Sequence, residues 1–237
     1  MSKMPKVYIP TAGPDDWRCF LADPTKQWRT GFSAKTLAHC WEAAGRKSAS
    51  GESTNGLPSE IAAMLRPHGG NAELLLAIPE YKVALPGSSL GASQNDVFAL
   101  ARAGDQTFAI MVEGKVCEPF GETLGDWLRN ASAGKHERLA FICGLLGLTL
   151  PLPDQTHYHL LHRAASAVIE GRRFKTDRAA MIVHSFSPER TWFESFVQFG
   201  SLFDADVVAN ELTAVRPSAT PPLYIGWACG DCNFLTA

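Results

Sequence analysis

The chain has 237 residues, of which 46% are hydrophobic and 19% are charged. This length is enough for one substantial hydrophobic core, and the balance of apolar and charged residues excludes a largely disordered chain. The net charge of -2 excludes a strongly positive overall field, so any contact with nucleic acid has to depend on a local basic patch.

The N-terminal part of the chain predicts two helices separated by a loop. Apolar residues recur at helical spacing over 32–44, and Gly45 follows as a stop signal. The Ser- and Gly-rich segment 47–56 is typical of a surface loop. A second helix is predicted over 58–65, because it begins with a proline and is followed by a Pro-His-Gly-Gly break.

Three strand-like segments follow, at 74–85, 96–101 and 107–115, and Pro79 is expected to interrupt the first of them. The connections between them are short and contain glycine, which favours antiparallel neighbours. The sequence therefore predicts a three-stranded antiparallel meander.

The pattern becomes helical after Pro119, and a short apolar strand follows the helices. The predicted elements are helices at 124–128, 138–148 and 158–171, a buried strand at 179–186, a helix at 192–203 and a last strand at 223–227. This order predicts an α/β fold in a single domain spanning 1–237, with a mixed central sheet flanked by helices.

Asp96, Glu113 and Lys115 are the candidate catalytic residues. Asp96 opens the second predicted strand, and Glu113 and Lys115 close the third. Because adjacent strands lie close to 5 Å apart, acids at matching ends of the two strands can share one divalent ion. Glu113 and Lys115 are two residues apart and project to the same face, where the lysine can stabilise a phosphoryl transition state.

These residues resemble the motif of the PD-(D/E)xK nuclease superfamily. In that superfamily the second strand carries an acid, as Asp96 does here, and the third carries the E-x-K pair of Glu113 and Lys115. The resemblance implies a restriction-endonuclease-like core over about 58–186, with an N-terminal helical extension and a C-terminal one. It also implies hydrolysis of phosphodiester bonds in DNA or RNA with Mg²⁺ or Mn²⁺.

The same resemblance suggests additional site residues. Glu60, in the preceding helix, matches the extra metal-binding carboxylate that many members carry, and Glu80 is an alternative to it. The expected supporting residues are Gln94, His159 and His162. The expected nucleic-acid contacts are Arg163, Arg172, Arg173 and Lys175, with Arg178 in the same basic run.

Other interpretations of these residues remain open. Asp96 can mark a surface hairpin that carries a structural Glu113–Lys115 salt bridge, which favours a non-catalytic binding or regulatory module. The basic run can be a solvated helix end with cations at its negative pole. His184 can be a ligand, a proton shuttle or a hydrogen-bonded core histidine.

The cysteines offer a further alternative. Cys229 and Cys232 form a C-x-x-C pair, typical of half a zinc site or a redox pair, but the sequence near them supplies no third and fourth ligand. The six cysteines are scattered through a chain too large to need disulfide staples, so we expect mostly reduced and buried thiols.

No segment predicts secretion or membrane insertion. The N-terminal residues contain no apolar stretch of signal-peptide length. The most apolar later segment, 139–152, is broken by glycines and a proline and is shorter than the roughly 20 residues that span a bilayer. We therefore expect a cytoplasmic protein with no membrane partner.

Longer segments also resemble a bacterial family of unknown function over nearly the full chain. The segments that carry this resemblance are WRTGFSAKTLAHCWE, SQNDVFAL, VEGKVCEPFG, LLHRAASA and VHSF. The resemblance implies no particular activity.

Overall fold

The structure is a computed structural model and describes residues 11–45, 55–87, 91–217 and 219–237. The α-helices are α1 (Pro24–Gln27), α2 (Ser33–Ala44), α3 (Ser59–Leu65), α4 (Leu124–Trp127), α5 (Ala133–Leu146), α6 (Tyr158–Phe174) and α7 (Phe193–Ser201). The strands are β1 (Ala72–Val83), β2 (Ser93–Ala103), β3 (Gln106–Lys115), β4 (Arg178–Ser185), β5 (Leu212–Ala214) and β6 (Leu223–Cys229). Short 3₁₀ helices cover Pro14–Phe20, Arg66–His68 and Cys232–Thr236.

The strands form one six-stranded mixed sheet in the order β1-β2-β3-β4-β6-β5. The β1–β2 and β2–β3 pairs are antiparallel, which confirms the predicted meander. β3, β4 and β6 run parallel to one another, and β5 returns antiparallel to β6. The predicted α/β fold with a mixed sheet flanked by helices is therefore confirmed.

Helices cover both faces of the sheet and create two apolar layers. Phe98, Met111 and Met181 belong to the layer under α5, α6 and α7, here called the α6 face. Val112 and Ile182 belong to the layer under α2 and α3, here called the α2 face. β3 and β4 are buried on both sides, which explains why their sequences are continuous apolar runs rather than alternating ones.

β1 and β2 differ from their predicted bounds in ways that affect the site. β1 continues through Pro79, which a sheet tolerates here because β1 is an edge strand. Glu80, directly after it, has a φ of 50°, in the left-handed region. β2 begins at Ser93, so Asp96 lies inside the strand instead of opening it.

Several other predictions are refined. α5 begins five residues before the predicted 138, after Ser132, whose hydroxyl accepts a bond from the Lys135 amide. β5 is missed because three residues are too few to form a periodic pattern. The predicted loop at 47–56 lies mostly outside the described residues, which resume in a turn at 55.

All six cysteines are free, but the expectation that most are buried is wrong: Cys40 and Cys143 are buried, whereas Cys19, Cys117 and Cys232 are exposed. The four other than Cys40 and Cys143 lie in loops, in a 3₁₀ turn or at a strand end, where side chains meet solvent. Among the described helices, none is long and apolar enough to cross a membrane.

Candidate active site

The β2–β3 pairing brings the predicted acids to one place. Val97 pairs with Val112, so the antiparallel register continued by one residue sets Asp96 opposite Glu113. Lys115 lies two residues further along β3 and projects to the same face as Glu113. The structure thus places all three predicted catalytic residues on the α6 face, at the end of β3 where the chain leaves the sheet.

Arg163, in the second turn of α6, joins the two acids. Its Nε donates to Glu113 Oε2 at 2.6 Å, and its Nη2 lies 3.7 Å from Asp96 Oδ1. Lys115 Nζ donates to the other oxygen, Glu113 Oε1, at 2.6 Å. Both oxygens of Glu113 therefore accept from cations inside the protein, whereas the Asp96 side chain keeps 25% of its surface exposed.

The two acids have opposite electrostatic environments. Burial alone would raise the pKa of Glu113, but the Arg163 guanidinium and the Lys115 ammonium outweigh it and hold that pKa well below its usual range. Burial and the charge of Glu113 instead raise the pKa of Asp96 to about 6, with Arg163 offsetting part of the effect. Glu113 is thus paired through both oxygens with cations of the protein. The negative charge of Asp96 is only partly compensated, by Arg163 at 3.7 Å.

Glu80 supplies a third carboxylate. Pro79 pairs with Val97 and Tyr81 with Asn95, which sets Glu80 beside Asp96. Gln94 Nε2 donates to Glu80 Oε2 at 2.6 Å, so the predicted supporting residue Gln94 is a direct partner of this acid. Burial, followed by the charge of Asp96, raises the pKa of Glu80 to about 8.

A pocket of about 330 Å³ opens in front of these residues. The ionisable groups that line it come from the strands β1 and β2, from α5 and from the first turns of α6. The polar and charged residues lining it are Gln27, Glu80, Ser93, Gln94, Asp96, Arg138, Tyr158, His159, His162 and Arg163. Glu113 and Lys115 stand behind this lining.

The predicted supporting histidines differ in their bonding. His162 Nδ1 shares a 2.7 Å hydrogen bond with Ser93 Oγ, and Ser166 donates to both Ser93 Oγ and the His162 carbonyl, so this ring is held in a closed network. His159 Nδ1 is buried and finds no hydrogen-bond partner among the described residues. Burial lowers the pKa of His159 to about 4. His159 is the histidine free to bond to a ligand in the pocket.

Gly114, the middle residue of the E-x-K sequence, is small because two groups approach it closely. A Cβ at this position would stand 3.2 Å from Leu37 Cδ2 and 3.4 Å from Asp96 Oδ2. The Gly114 amide also donates to Asp96 Oδ2 at 2.8 Å. Because Gly114 has no side chain, the Asp96 carboxylate can lie against the β3 backbone and accept this bond.

The expected grouping of Glu60 with Asp96 and Glu113 is corrected by the structure. Glu60 lies on the α2 face, where its Oε1 meets His184 Nε2 at 2.5 Å. His184 pairs in register with Gly114 and points away from the α6 face, because neighbouring residues of a strand alternate between faces. Glu80, the alternative carboxylate, is the one beside Asp96.

α6 carries most of the predicted basic run away from the pocket. Arg172 is nine residues beyond Arg163, about 14 Å along the helix axis. Arg172 Nε donates to the Thr220 carbonyl at 2.6 Å, and Arg173 Nη1 donates to Tyr81 Oη at 3.0 Å. Lys175 caps the far end of the helix. Of the predicted nucleic-acid contacts, Arg163 alone lines the pocket.

Arg178, in the same run, lies at the start of β4, where its Nη1 donates to Tyr224 Oη at 3.0 Å. That end of β4 is opposite to the end beside Lys115, since Lys115 pairs with Ser185. Arg178 therefore serves the packing of β4 against β6.

A profile of one protein family matches residues 10–232 of the chain. The chain belongs to DUF6946, a domain of unknown function. None of the curated proteins and none of the solved structures compared with this DUF6946 chain matches it. The matched range includes the pocket and the helices and strands around it.

The pocket of this DUF6946 chain contains one cation that the sequence did not single out. Arg138 is buried in α5, and its Nε donates to the Pro86 carbonyl at 2.6 Å, while its Nη2 donates to the Gly91 carbonyl at 2.8 Å. It thereby ties the β1–β2 connection to the rim of the pocket. An arginine at an inward-facing position of a predicted helix was the available signal.

The two cysteines of the C-x-x-C pair make different contacts in this DUF6946 chain. The Cys229 amide donates to Asn210 Oδ1 at 2.7 Å at the end of β6, whereas Cys232 Sγ lies 3.5 Å from the Phe186 carbonyl oxygen. Across the described ranges, the group of His, Cys, Asp and Glu side chains placed to hold a metal is Cys40, Glu60 and His184. That group lies on the α2 face.

Proposed function

We propose that the chain is a metal-dependent phosphodiesterase of the nuclease type, acting on DNA or RNA with Mg²⁺ or Mn²⁺. The observation that carries the proposal is the convergence of Glu80 and Asp96 on one pocket, with the Glu113–Lys115 pair directly behind them. Several acids and a lysine at one site suit phosphoryl transfer, in which a metal ion and fixed cations offset developing negative charge.

The order and pairing of the elements support this proposal. α3 is followed by the antiparallel β1–β2–β3 meander, then by the helices α4, α5 and α6, and then by β4 parallel to β3. This is the helix, meander, helix and strand order expected of a PD-(D/E)xK core. Asp96 and the Glu113–Lys115 pair also occupy the second and third strands of that core, as the motif requires.

The donor atoms fit a hard divalent cation. Glu80 and Asp96 both line the pocket, and their raised pKa values indicate that burial and a neighbouring carboxylate, Asp96 for Glu80 and Glu113 for Asp96, penalise each negative charge. A cation between them removes that penalty, and carboxylate oxygens are what Mg²⁺ and Mn²⁺ prefer. Glu80 and Asp96 would hold the ion, which when bound supplies charge neutralisation and an activated water.

Arg163, Lys115 and His159 have different roles in this proposal. Arg163 reaches the pocket and can bond to a phosphate oxygen there while its Nε stays on Glu113. Lys115 is behind the pocket wall and holds Glu113 Oε1, so it fixes the orientation of the anion that faces Arg163. His159, with its unpaired Nδ1, is placed to bond to the substrate.

A non-catalytic binding module is the second candidate, and one observation favours it. Glu113, Lys115 and Arg163 satisfy one another in a buried network with contacts of 2.6 Å, as a purely structural charge cluster would. In that case the pocket binds an anionic ligand through Arg163 and has no hydrolytic activity.

Cleavage assays separate the two candidates. Wild type, Asp96→Asn and Glu80→Gln are incubated with single- and double-stranded DNA and RNA in the presence of Mn²⁺, and Glu73→Gln serves as a control. Glu73 lies on β1 but pairs with Arg102 at the sheet surface. We expect cleavage by wild type and the control and none by the two pocket variants. If wild type with bound metal cuts none of these substrates, the binding-module function replaces the catalytic one.

A further inference from the structure

The α2 face contains a second cluster of ionisable side chains, separated from the pocket by the sheet. Cys40 comes from α2, Glu60 from α3 and His184 from β4. One ligand atom from each residue lies within 4.8 Å of the other two. Glu60 Oε1 is the centre of the cluster, 2.5 Å from His184 Nε2 and 3.8 Å from Cys40 Sγ.

The cluster lies in an otherwise apolar layer. The Cys40 and His184 residues are 3% and 0% exposed, and the side chain of Glu60 is 11% exposed. Trp41, Ile61 and Ile182 belong to the same hydrophobic layer. A carboxylate in such surroundings is costly unless a cation or strong hydrogen bonds compensate it, and in the metal-free chain His184 Nε2 at 2.5 Å and Ser59 Oγ at 2.9 Å are its partners.

We propose that Cys40, Glu60 and His184 form a Zn²⁺ site. A thiolate, a carboxylate and an imidazole together are a donor set for zinc, whereas Mg²⁺ requires oxygen ligands. Three protein ligands also leave a fourth coordination position for water, as in zinc sites with an exchangeable ligand. This site is independent of the phosphodiesterase proposal, because none of its ligands lines the pocket on the α6 face.

Gly230 leaves space next to the histidine ligand. The Gly230 backbone passes close to the His184 and Phe186 rings. A Cβ at this position would stand 2.9 Å from His184 Nε2 and 2.5 Å from Phe186 Cε1. Because glycine has no side chain, the nitrogen proposed as a ligand is not covered by one at this point. Glu60 is the most exposed of the three ligands. An ion would therefore reach the cluster past the Glu60 side chain.

Trp41 provides an internal reporter of the ion. Its Nε1 donates to His184 Nδ1 at 3.3 Å, so in the metal-free chain the ring proton lies on Nε2, towards Glu60. Zinc bound at Nε2 requires the lone pair of that nitrogen and moves the proton to Nδ1. The Trp41 hydrogen bond then has a donor on each side and must break, which changes the environment of the indole.

The test uses the full chain, stripped of metal with a chelator and titrated with Zn²⁺ or Co²⁺ alone. We expect one ion in the cluster, with a thiolate-to-cobalt charge-transfer band and a change in tryptophan fluorescence that Trp41→Phe removes, two signals that an ion held by Glu80 and Asp96 cannot give. Cys40→Ser and His184→Gln should weaken zinc binding more than about 100-fold, beyond the loss typical of residues that only support a ligand. Cys229→Ser and Cys117→Ser are controls and should keep the cobalt band of wild type.

Two results would overturn the proposal. The first is wild type that binds no zinc and gives no cobalt band, which would make the cluster a hydrogen-bond network that joins α2 and α3 to β4. The second is zinc that binds equally to Cys40→Ser or is lost in Cys229→Ser, which would place the ion elsewhere. If Cys40→Ser does not fold, the cobalt band of wild type still decides, because it requires a thiolate ligand and is assigned to Cys40 when it persists in single serine variants of the five other cysteines.

Discussion

Arg163 balances the charges of the candidate active site. It bonds to Glu113 at 2.6 Å and lies 3.7 Å from Asp96, with its side chain 8% exposed. Removing one partner of a buried ion pair leaves an uncompensated charge, which typically costs about 3–5 kcal/mol. Urea unfolding at pH 7 should show a loss of this size for Arg163→Met.

The exposed Arg172 provides the control for this measurement. Arg172→Met, at the far end of α6, loses one exposed hydrogen bond to the Thr220 carbonyl and should change stability by no more than about 1.5 kcal/mol. A loss below about 1 kcal/mol for Arg163→Met would mean that Glu113 and Asp96 do not depend on the guanidinium.

Glu80 makes stability depend on pH. Its pKa is raised from 4.5 to about 8 in the folded chain, so between these values the folded state keeps a proton that the unfolded state releases. Its contribution to stability is therefore present below pH 4.5 and is lost as the pH rises towards 8. Without metal, Glu80→Gln should match wild type at pH 5 and exceed it at pH 9 by at least about 1.4 kcal/mol, the equivalent of one pKa unit.

Chelator-treated protein, unfolded with urea at both pH values, checks this dependence. A Glu80→Gln variant that tracks wild type at pH 5 and pH 9 alike would show that Glu80 ionises normally. Such a result would also remove the repulsion with Asp96 on which the fit to a cation depends.

Substitution of Lys115 should lower the cleavage rate without changing the affinity for the metal ion. Its ammonium bonds to Glu113 Oε1 and cannot be a metal ligand, so Lys115→Met should leave Mn²⁺ affinity nearly unchanged. Because Lys115 acts on the pocket through Glu113 and Arg163, its loss should lower the rate by less than the about 10²-fold to 10³-fold typical of a direct electrostatic contact. Cleavage rates at saturating Mn²⁺ give the comparison, and a variant as fast as wild type would show that Lys115 has no part in the reaction.

At the scale of elements, the β2–β3 pair depends on Gly114. The Cβ of Gly114→Ala would stand 3.2 Å from Cδ2 of buried Leu37, which must move to make room, and extra volume in a packed core typically costs about 1–3 kcal/mol. Gly144→Ala is the matched control: it lies in α5 with nothing within 4 Å of an added Cβ, so it should gain about 1 kcal/mol in helix propensity. Urea unfolding of both variants checks this, and equal effects at the two positions would contradict the packing at Gly114.

Strong local patterns predicted the elements near the site. β3 and β4 are continuous apolar runs, the amphipathic α6 is long enough to show its helical period, and short glycine turns indicated the meander. The position of Glu80 was not predictable in the same way, because the left-handed φ at this residue is set by β1 pairing with β2 across Pro79. The place of Asp96 inside β2 likewise depends on tertiary pairing rather than on local sequence.

At the scale of the whole molecule, the sheet separates two groups of chemical side chains. Sequence spacing identified Asp96, Glu113 and Lys115 because they occupy consecutive strands on one face. The resemblance to the nuclease superfamily assigned Glu60 to the wrong face, because a family motif does not tell which side of the sheet a preceding helix covers in this chain. Cys40 and His184 lie 144 residues apart in the numbering and meet only through α2 packing on β4, which no sequence motif signals.

The most direct test of the proposed function is a calorimetric titration of Mn²⁺ into wild type, Asp96→Asn, Glu80→Gln and Glu60→Gln. If the acids of the α6 face hold the catalytic ion, wild type and Glu60→Gln will bind it alike, and the two pocket variants will lose binding. Equal binding by Asp96→Asn and wild type, or a loss confined to Glu60→Gln, would contradict the assignment of the catalytic metal to this pocket.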